Sequence, residues 1–143
     1  MDVNEKYAFE KKWGKNTSLI GWTAFPIALV FLQDELDISP VEFNVLVNLL
    51  VHWWDVDQHP FPAQTAMAHR MGMSKRSIQR ALEALEEKKL LKKVPTSRTN
   101  PKYKGRNLYD LSLLSRAIEQ KAENLRTNLK VKRGVGRKSD ATE

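Results

Sequence analysis

The chain has 143 residues, no cysteine, 41% hydrophobic residues, and 24 Lys plus Arg against 17 Asp plus Glu, for a formal net charge of +7. That length suits one compact domain with tails and supplies a core, while the lack of cysteine excludes a disulfide framework and any thiol chemistry. Residues 1–60 carry four basic and nine acidic side chains, and residues 61–143 carry twenty basic and eight acidic ones. Such an imbalance concentrates positive potential on one part of the molecule, as phosphate binding requires, although a merely soluble basic surface would look the same in composition. The N-terminal stretch has no signal-peptide core, and the longest apolar run, Phe25 to Leu32, is too short to span a bilayer. A soluble, cytoplasmic protein is expected.

In chain order, residues 1–20 are polar and charged with scattered aromatics (Tyr7, Phe9, Trp13) and read as a flexible N-terminal arm. A short strand is expected around Trp22 to Phe25, then a short helix after Pro26. The first strong helix signal is Ser39-Pro40-Val41-Glu42. Ser39 can accept from the free N–H groups of a first turn, Glu42 can reach back to the backbone of Ser39, and Pro40 stands where a missing N–H costs nothing. Phe43, Leu46, Val47, Leu50 and Trp54 follow at helical spacing. The further apolar residues Val45, Leu49, Val51 and Trp53 predict burial nearly all round, with His52 inside the helix. Asp55 to Pro62 ends it. A second helix fits Ala63 to Met71 and a third Lys75 to Lys89. Leu90 to Val94 reads as a strand, Pro95 to Arg106 as a loop and Asn107 to Leu111 as the returning strand. Leu111, Leu114, Ile118, Ala122, Leu125 and Leu129 trace one stripe of a last helix. From Lys130 the chain is basic and Gly-rich, which predicts a disordered tail.

The segment Gln64 to Glu83 carries the functional signal. Two helices meeting at a tight turn require a small residue where they cross (Ala68), a residue tolerant of left-handed backbone at the turn (Gly72), an apolar plug (Met73) and a cap for the second helix (Ser74). Burying Ile78, Leu82 and Leu85 turns Lys75, Arg76, Gln79 and Arg80 outward within the first two turns. Arginine offers a bidentate fork to guanine and glutamine one to adenine, and a helix entering the major groove presents its N-terminal residues first. Glu83, Glu86 and Glu87 come later, away from phosphate.

These residues resemble the winged helix-turn-helix family of bacterial and plasmid replication proteins and transcriptional regulators. The likeness rests on Phe61-Pro62, Thr65, Ala68, Met71-Gly72-Met73-Ser74, Ser77-Ile78, Arg80-Ala81-Leu82, Leu85-Glu86 and Leu90-Leu91, with Ser39-Pro40-Val41-Glu42-Phe43 resembling the family's first helix. It covers roughly residues 21–111. It implies a mainly α fold with a small β-hairpin, a winged helix-turn-helix, that binds double-stranded DNA. Two positions depart from the family: Ala63 stands where a serine cap is usual, a loss of about 1 kcal/mol, and Lys89 where glycine is usual.

The loop from Pro95 to Arg106 would be the wing. It carries Arg98, Lys102, Lys104 and Arg106 and no acid, so it suits a flanking minor groove or backbone better than it suits the alternative, an ordinary solvated loop. The DNA-binding set expected is therefore Ser74, Lys75, Arg76, Ser77, Gln79, Arg80, Arg98, Lys102, Lys104 and Arg106. Lys130, Lys132, Arg133, Arg137 and Lys138 of the tail can add phosphate contacts. The last helix, longer than a small core needs, favours a homodimer over packing on its own domain. His52, Asp55, Asp57 and His59 have ligand-type side chains, but solvated residues at a helix end explain them better than a metal. Met67, Met71 and Met73 read as core filler, and Trp53 and Trp54 as core or dimer contacts. Neither a phosphate-binding glycine loop nor a nucleophile with its base is present, so no enzyme and no cofactor are expected. The expected organisation is arm 1–20, winged helix-turn-helix domain 21–111, C-terminal helix 112–129 and basic tail 130–143. The expected role is control of transcription or of plasmid or phage replication, and the rival is a protein-docking winged-helix adaptor in a replication or segregation complex.

Overall fold

A computed structural model describes residues 2–135. The Asp2 carboxylate accepts from the Glu5 N–H at 2.8 Å and starts α1, Val3–Trp13. Gly14, at φ +96°, breaks that helix and lets α2, Lys15–Ile20, follow at once. Two helices therefore occupy the stretch expected as an arm. The sequence carries no amphipathic signal for them because they bury no apolar residue: α1 buries nothing and α2 only Ser18. Phe9 stacks on Trp22 with ring centroids 4.8 Å apart.

The strand expected at Trp22 to Phe25 is absent; these residues are irregular. A lone extended segment has no ladder to join, and the sheet lies elsewhere in the chain. The helix expected after Pro26 is α3, Ile27–Phe31.

The next helix, α4, spans Pro40–Leu50. Ser39 Oγ accepts from the Glu42 N–H at 3.2 Å, and Glu42 Oε1 accepts from the Ser39 N–H at 3.3 Å, so the reciprocal cap forms as expected. Val45, Leu46, Leu49 and Leu50 are buried, while Val41 and Val51 are exposed, so the helix is buried on one side rather than all round. It also stops earlier than expected. The His52 N–H donates to the Leu49 carbonyl and the Trp53 N–H to that of Leu50, three residues back, so the last turn tightens and the α ladder ends. His52 lies in that turn, outside the helix.

The helix-turn-helix proper is α5, Gln64–Met71, and α6, Lys75–Glu87. Gly72 takes a left-handed conformation at φ +63°. The Met73 N–H reaches the Ala68 carbonyl at 3.0 Å and the Gly72 N–H that of His69 at 3.3 Å. These paired bonds satisfy the free carbonyls of a helix end. The same pattern closes α6, where Leu90 donates to Leu85 and Lys89 to Glu86, both at 3.0 Å. There the left-handed residue is Lys89, at φ +59°. This is the position at which the family that the sequence resembles usually has glycine, and a left-handed backbone accounts for that preference.

Beyond α6 an antiparallel pair forms from β1, Lys92–Val94, and β2, Leu108–Asp110, with Lys93 opposite Tyr109. The final helix, α7, runs over Ser112–Val135. It therefore continues through the first six residues of the expected tail, and residues 136–143 lie outside the described residues. One core gathers Leu29 and Leu32 with the inner faces of α4, α5 and α6, then Leu90, Leu91, Tyr109, Leu111, Leu114 and Ile118. Met67 is buried within it, and Met71 and Met73 pack against it. Three packed helices followed by a small hairpin make this a winged helix-turn-helix. Among the described residues no helix is long and apolar enough to cross a membrane.

Candidate nucleic-acid interface

The reading face follows from what α6 must bury. Ile78, Leu82 and Leu85 are fully buried, and Lys75, Arg76, Gln79 and Arg80 all stand exposed on the opposite side. The helix starts where expected, with Ser74 Oγ accepting from the Ser77 N–H at 3.1 Å. The two hydroxyls also pair with each other at 2.9 Å, so both serines are engaged in the cap. The cations spread across the helix. Lys75 borders the wing, whereas Arg80 lines a shallow cleft with Ser39, Val41 and Met73 on the α4 side.

Gln79 does more than face solvent. Its Nε2 donates to Gln64 Oε1 at 3.2 Å, and Gln64 Nε2 donates to the Tyr109 hydroxyl at 3.2 Å. This chain of bonds joins α6, α5 and β2. Burial pushes the Tyr109 phenol above its ordinary pKa, outweighing the hydrogen bonds to Gln64 and Asn107, so the hydroxyl keeps its proton. Sequence periodicity marks Gln64 only as a polar helix residue and cannot anticipate a partner 45 positions away.

The wing is more ordered than its composition implies. Thr96 Oγ1 donates to the Arg106 carbonyl at 2.6 Å across its base. Asn100 Oδ1 accepts from the N–H groups of Lys102 and Tyr103. Gly105 stands at φ +80°, where a side chain is strained, and a Cβ there would press against Arg98, 3.0 Å from its Cγ. Arg98, Lys102, Lys104 and Arg106 are all exposed. Lys104, Arg106 and Lys75 surround a cleft of about 250 Å³ that the first residues of α5 also line. Ala63 offers those residues no side-chain cap. Three cations and the positive end of a helix thus share one cleft, an arrangement that favours an anion.

Other charged residues have structural tasks. Lys88 Nζ donates to Glu42 Oε1 at 2.6 Å and also reaches Asp37. Burial alone would raise the Glu42 pKa, but the hydrogen bonds from Lys88 and Ser39 outweigh it and hold the carboxyl below its ordinary value. The hydrogen bond from Lys88 to Glu42 correspondingly raises the lysine. Glu86 Oε2 accepts from the Lys93 N–H at 2.9 Å, which pins β1 to α6. Glu83 and Glu87 stay exposed.

Of the two tryptophans Trp53 and Trp54, one joins the core and the other does not. Trp53 is half-buried and packs against the core, but Trp54 is 83% exposed. Because α4 ends at Leu50, the stripe that would have carried Trp54 inward is broken before reaching it. Among the described residues, no group of three or more His, Asp or Glu side chains is gathered to hold a metal ion. His52 lies 3.4 Å from Arg70 instead, and burial, with a contribution from that arginine, lowers its pKa.

Residues 36–91 match the family model described as a helix-turn-helix domain. The match spans α4, α5 and α6 and stops just short of β1. No curated protein matches the chain.

Proposed function

We propose that this protein binds double-stranded DNA sequence-specifically, with α6 in the major groove and the wing on the flanking backbone. The observation that carries the reading is the exposed set Lys75, Arg76, Gln79 and Arg80 at the start of a helix whose other side is fully buried. A helix-turn-helix domain is a DNA-binding architecture whose second helix reads base edges with such residues. Ser74 and Ser77 set the start of that helix against the backbone, and Arg98, Lys102, Lys104 and Arg106 neutralise phosphates. The protein acts in transcriptional regulation or in plasmid or phage replication control, in the cytoplasm, by binding rather than catalysis.

It does so as a homodimer. Ala122, Leu125 and Leu129 continue the α7 stripe beyond the buried Leu114 and Ile118, and with Ile27 and Phe31 they line an apolar groove of about 550 Å³. The groove shares no residue with α5, α6 or the wing, so pairing there leaves the DNA face clear. The same groove favours the alternative reading, a protein-docking adaptor.

Titration of a random duplex at several salt concentrations separates the two. A DNA reader loses affinity steeply with salt, and Lys102→Ala with Lys104→Ala should flatten the logarithmic slope by about 0.9 per phosphate contact removed. An adaptor would hold little duplex even at low salt, and that outcome would end the DNA reading. Selection of bound sequences from a random pool would then reveal the site, and a palindrome would support the dimer.

A further inference from the structure

After α4 the chain does not wander. Asp55 and Gln58 form an antiparallel bridge, the Gln58 N–H donates to the Asp55 carbonyl at 3.0 Å, and the Asp57 N–H donates to Asp55 Oδ1 at 3.0 Å. The Tyr109 N–H donates to the Pro60 carbonyl at 2.9 Å and ties this tight loop to β2, at the base of the wing. Trp54 projects from the held loop into solvent and contributes little to the core. A single exposed apolar side chain is ordinary at a protein surface, so the significance of Trp54 rests on its neighbours.

What surrounds it narrows the choice. Trp54, Asp55, Gln58 and Phe61 from the loop, with Lys102 and Arg106 from the wing, line a cavity of about 300 Å³. That is the small end of the range for ligand pockets. The Phe61 ring meets the Tyr103 ring edge to face at 5.0 Å, and Lys102 Nζ lies 5.2 Å from the centre of Tyr103, so aromatic and cationic groups interleave where the wing meets the loop. Among the described residues, Asp55 is the one acid lining the cavity, and it already spends one oxygen on the Asp57 N–H. Two cations beside an exposed indole suit a polyanion that carries flat apolar rings. Nucleic acid has both, but a paired base keeps its faces stacked inside the duplex. Arg106 also lines the cleft beside Lys75, so the two sites are continuous along the wing.

We infer that the Trp54 pocket holds a single unpaired nucleobase, stacked on the indole with its phosphate on Lys102 and Arg106, so that the protein engages a junction between duplex and single strand. The inference rests on the DNA reading above and adds the state of the strand. Asp55 and Gln58 face the same space and can pair with the polar edge of the base. Stacking on one aromatic residue is sequence-tolerant, because every base offers a π-face.

The test compares two ligands by fluorescence anisotropy, using the full chain: a blunt random-sequence duplex, and the same duplex with a ten-thymidine single-stranded flank of either polarity. The wild-type protein should prefer a flanked duplex by roughly tenfold. Trp54→Ala should abolish that preference and leave blunt-duplex affinity within about twofold, and Trp54→Phe should keep most of it. Unchanged thermal melting of Trp54→Ala is expected from the exposure of the side chain. If the wild-type protein binds blunt duplex but gains nothing from either flank, the pocket assignment falls and the DNA reading stands. If Trp54→Ala weakens both ligands equally, or neither, the assignment also falls. If the wild-type protein binds neither ligand, both readings fall together.

Discussion

The two amphipathic helices α6 and α7 divide their surfaces in opposite ways. In α6 the whole apolar stripe, Ile78, Ala81, Leu82 and Leu85, is consumed by the core, so only its polar side is left to meet a partner. In α7 the stripe is consumed only at its start, where Leu114 and Ile118 are buried; Ala122, Leu125 and Leu129 are left half-covered beside α3. Their anchoring differs as well. The end of α6 is clamped to α4 by the Lys88–Glu42 pair, with Glu42 largely buried. Near α7 the corresponding contact is the exposed Lys121–Glu35 pair at 3.8 Å, which is worth about 0–1 kcal/mol. A helix with its apolar face spent offers charge, and a helix longer than its core offers grease.

The contrast breaks most visibly under truncation. Leu82→Ala should cost about 2–5 kcal/mol in urea unfolding because it leaves a cavity in a packed core. Leu129→Ala should cost less than about 1 kcal/mol at dilutions where the chain is monomeric. Its larger effect should be on association, read by sedimentation as weaker self-assembly. Equal losses of monomer stability at the two positions would erase the distinction drawn between the helices.

The clamp at the end of α6 predicts a pH signature. Glu42 has a lower pKa folded than unfolded, so its stabilisation is complete above the ordinary glutamate range and disappears as pH falls through the folded-state value. Lys88 is raised, so its share is complete below the ordinary lysine range and is lost as pH climbs through the folded-state value. Glu42→Gln should cost about 2 kcal/mol at neutral pH, since it weakens both the ion pair and the cap. Melting temperature followed against pH should show a shallower acid limb in the variant; superimposable limbs would mean that the pair does not couple to folding.

On the polar faces, Arg76→Ala or Arg80→Ala should reduce discrimination between the selected site and random duplex by about 1–3 kcal/mol. Lys11→Ala on α1, exposed and away from both the DNA face and the α7 groove, should leave it untouched. Should both α6 variants keep the wild-type preference, base reading lies elsewhere. The smallest effect is expected at the close of α6: Lys89→Gly relieves a left-handed residue and should raise stability by at most about 1 kcal/mol in thermal melts. A loss there would show that the lysine side chain earns its conformation through contacts.

Legibility followed the reach of each interaction. The Ser39–Glu42 cap, the Gly72 turn and the Ser74 cap involve residues within five positions of one another, and each stands where local chemistry placed it. The stripe of α6 was equally plain, since three fully buried residues recur at helical spacing. What failed was not carried by the spacing of apolar residues. The early helices α1 and α2 bury almost nothing, so no periodicity announced them. Trp54 looked like a continuation of the α4 stripe, and only the tightening of backbone bonds after Leu50 sent it outward. Lys89 was legible as a departure from the resembled family's glycine, but the cause of that preference, a left-handed backbone, needed coordinates.

Caps, turns and helical stripes were written into neighbouring residues, because a hydrogen bond across three positions or a repeat every turn needs nothing from the rest of the chain. Folding in three dimensions decided which side chains became neighbours across tens of residues: Gln79 with Gln64 and Tyr109, Lys88 with Glu42, Trp54 with the wing. Such pairings come from the packing of whole elements, and the spacing of residues along one element does not encode them.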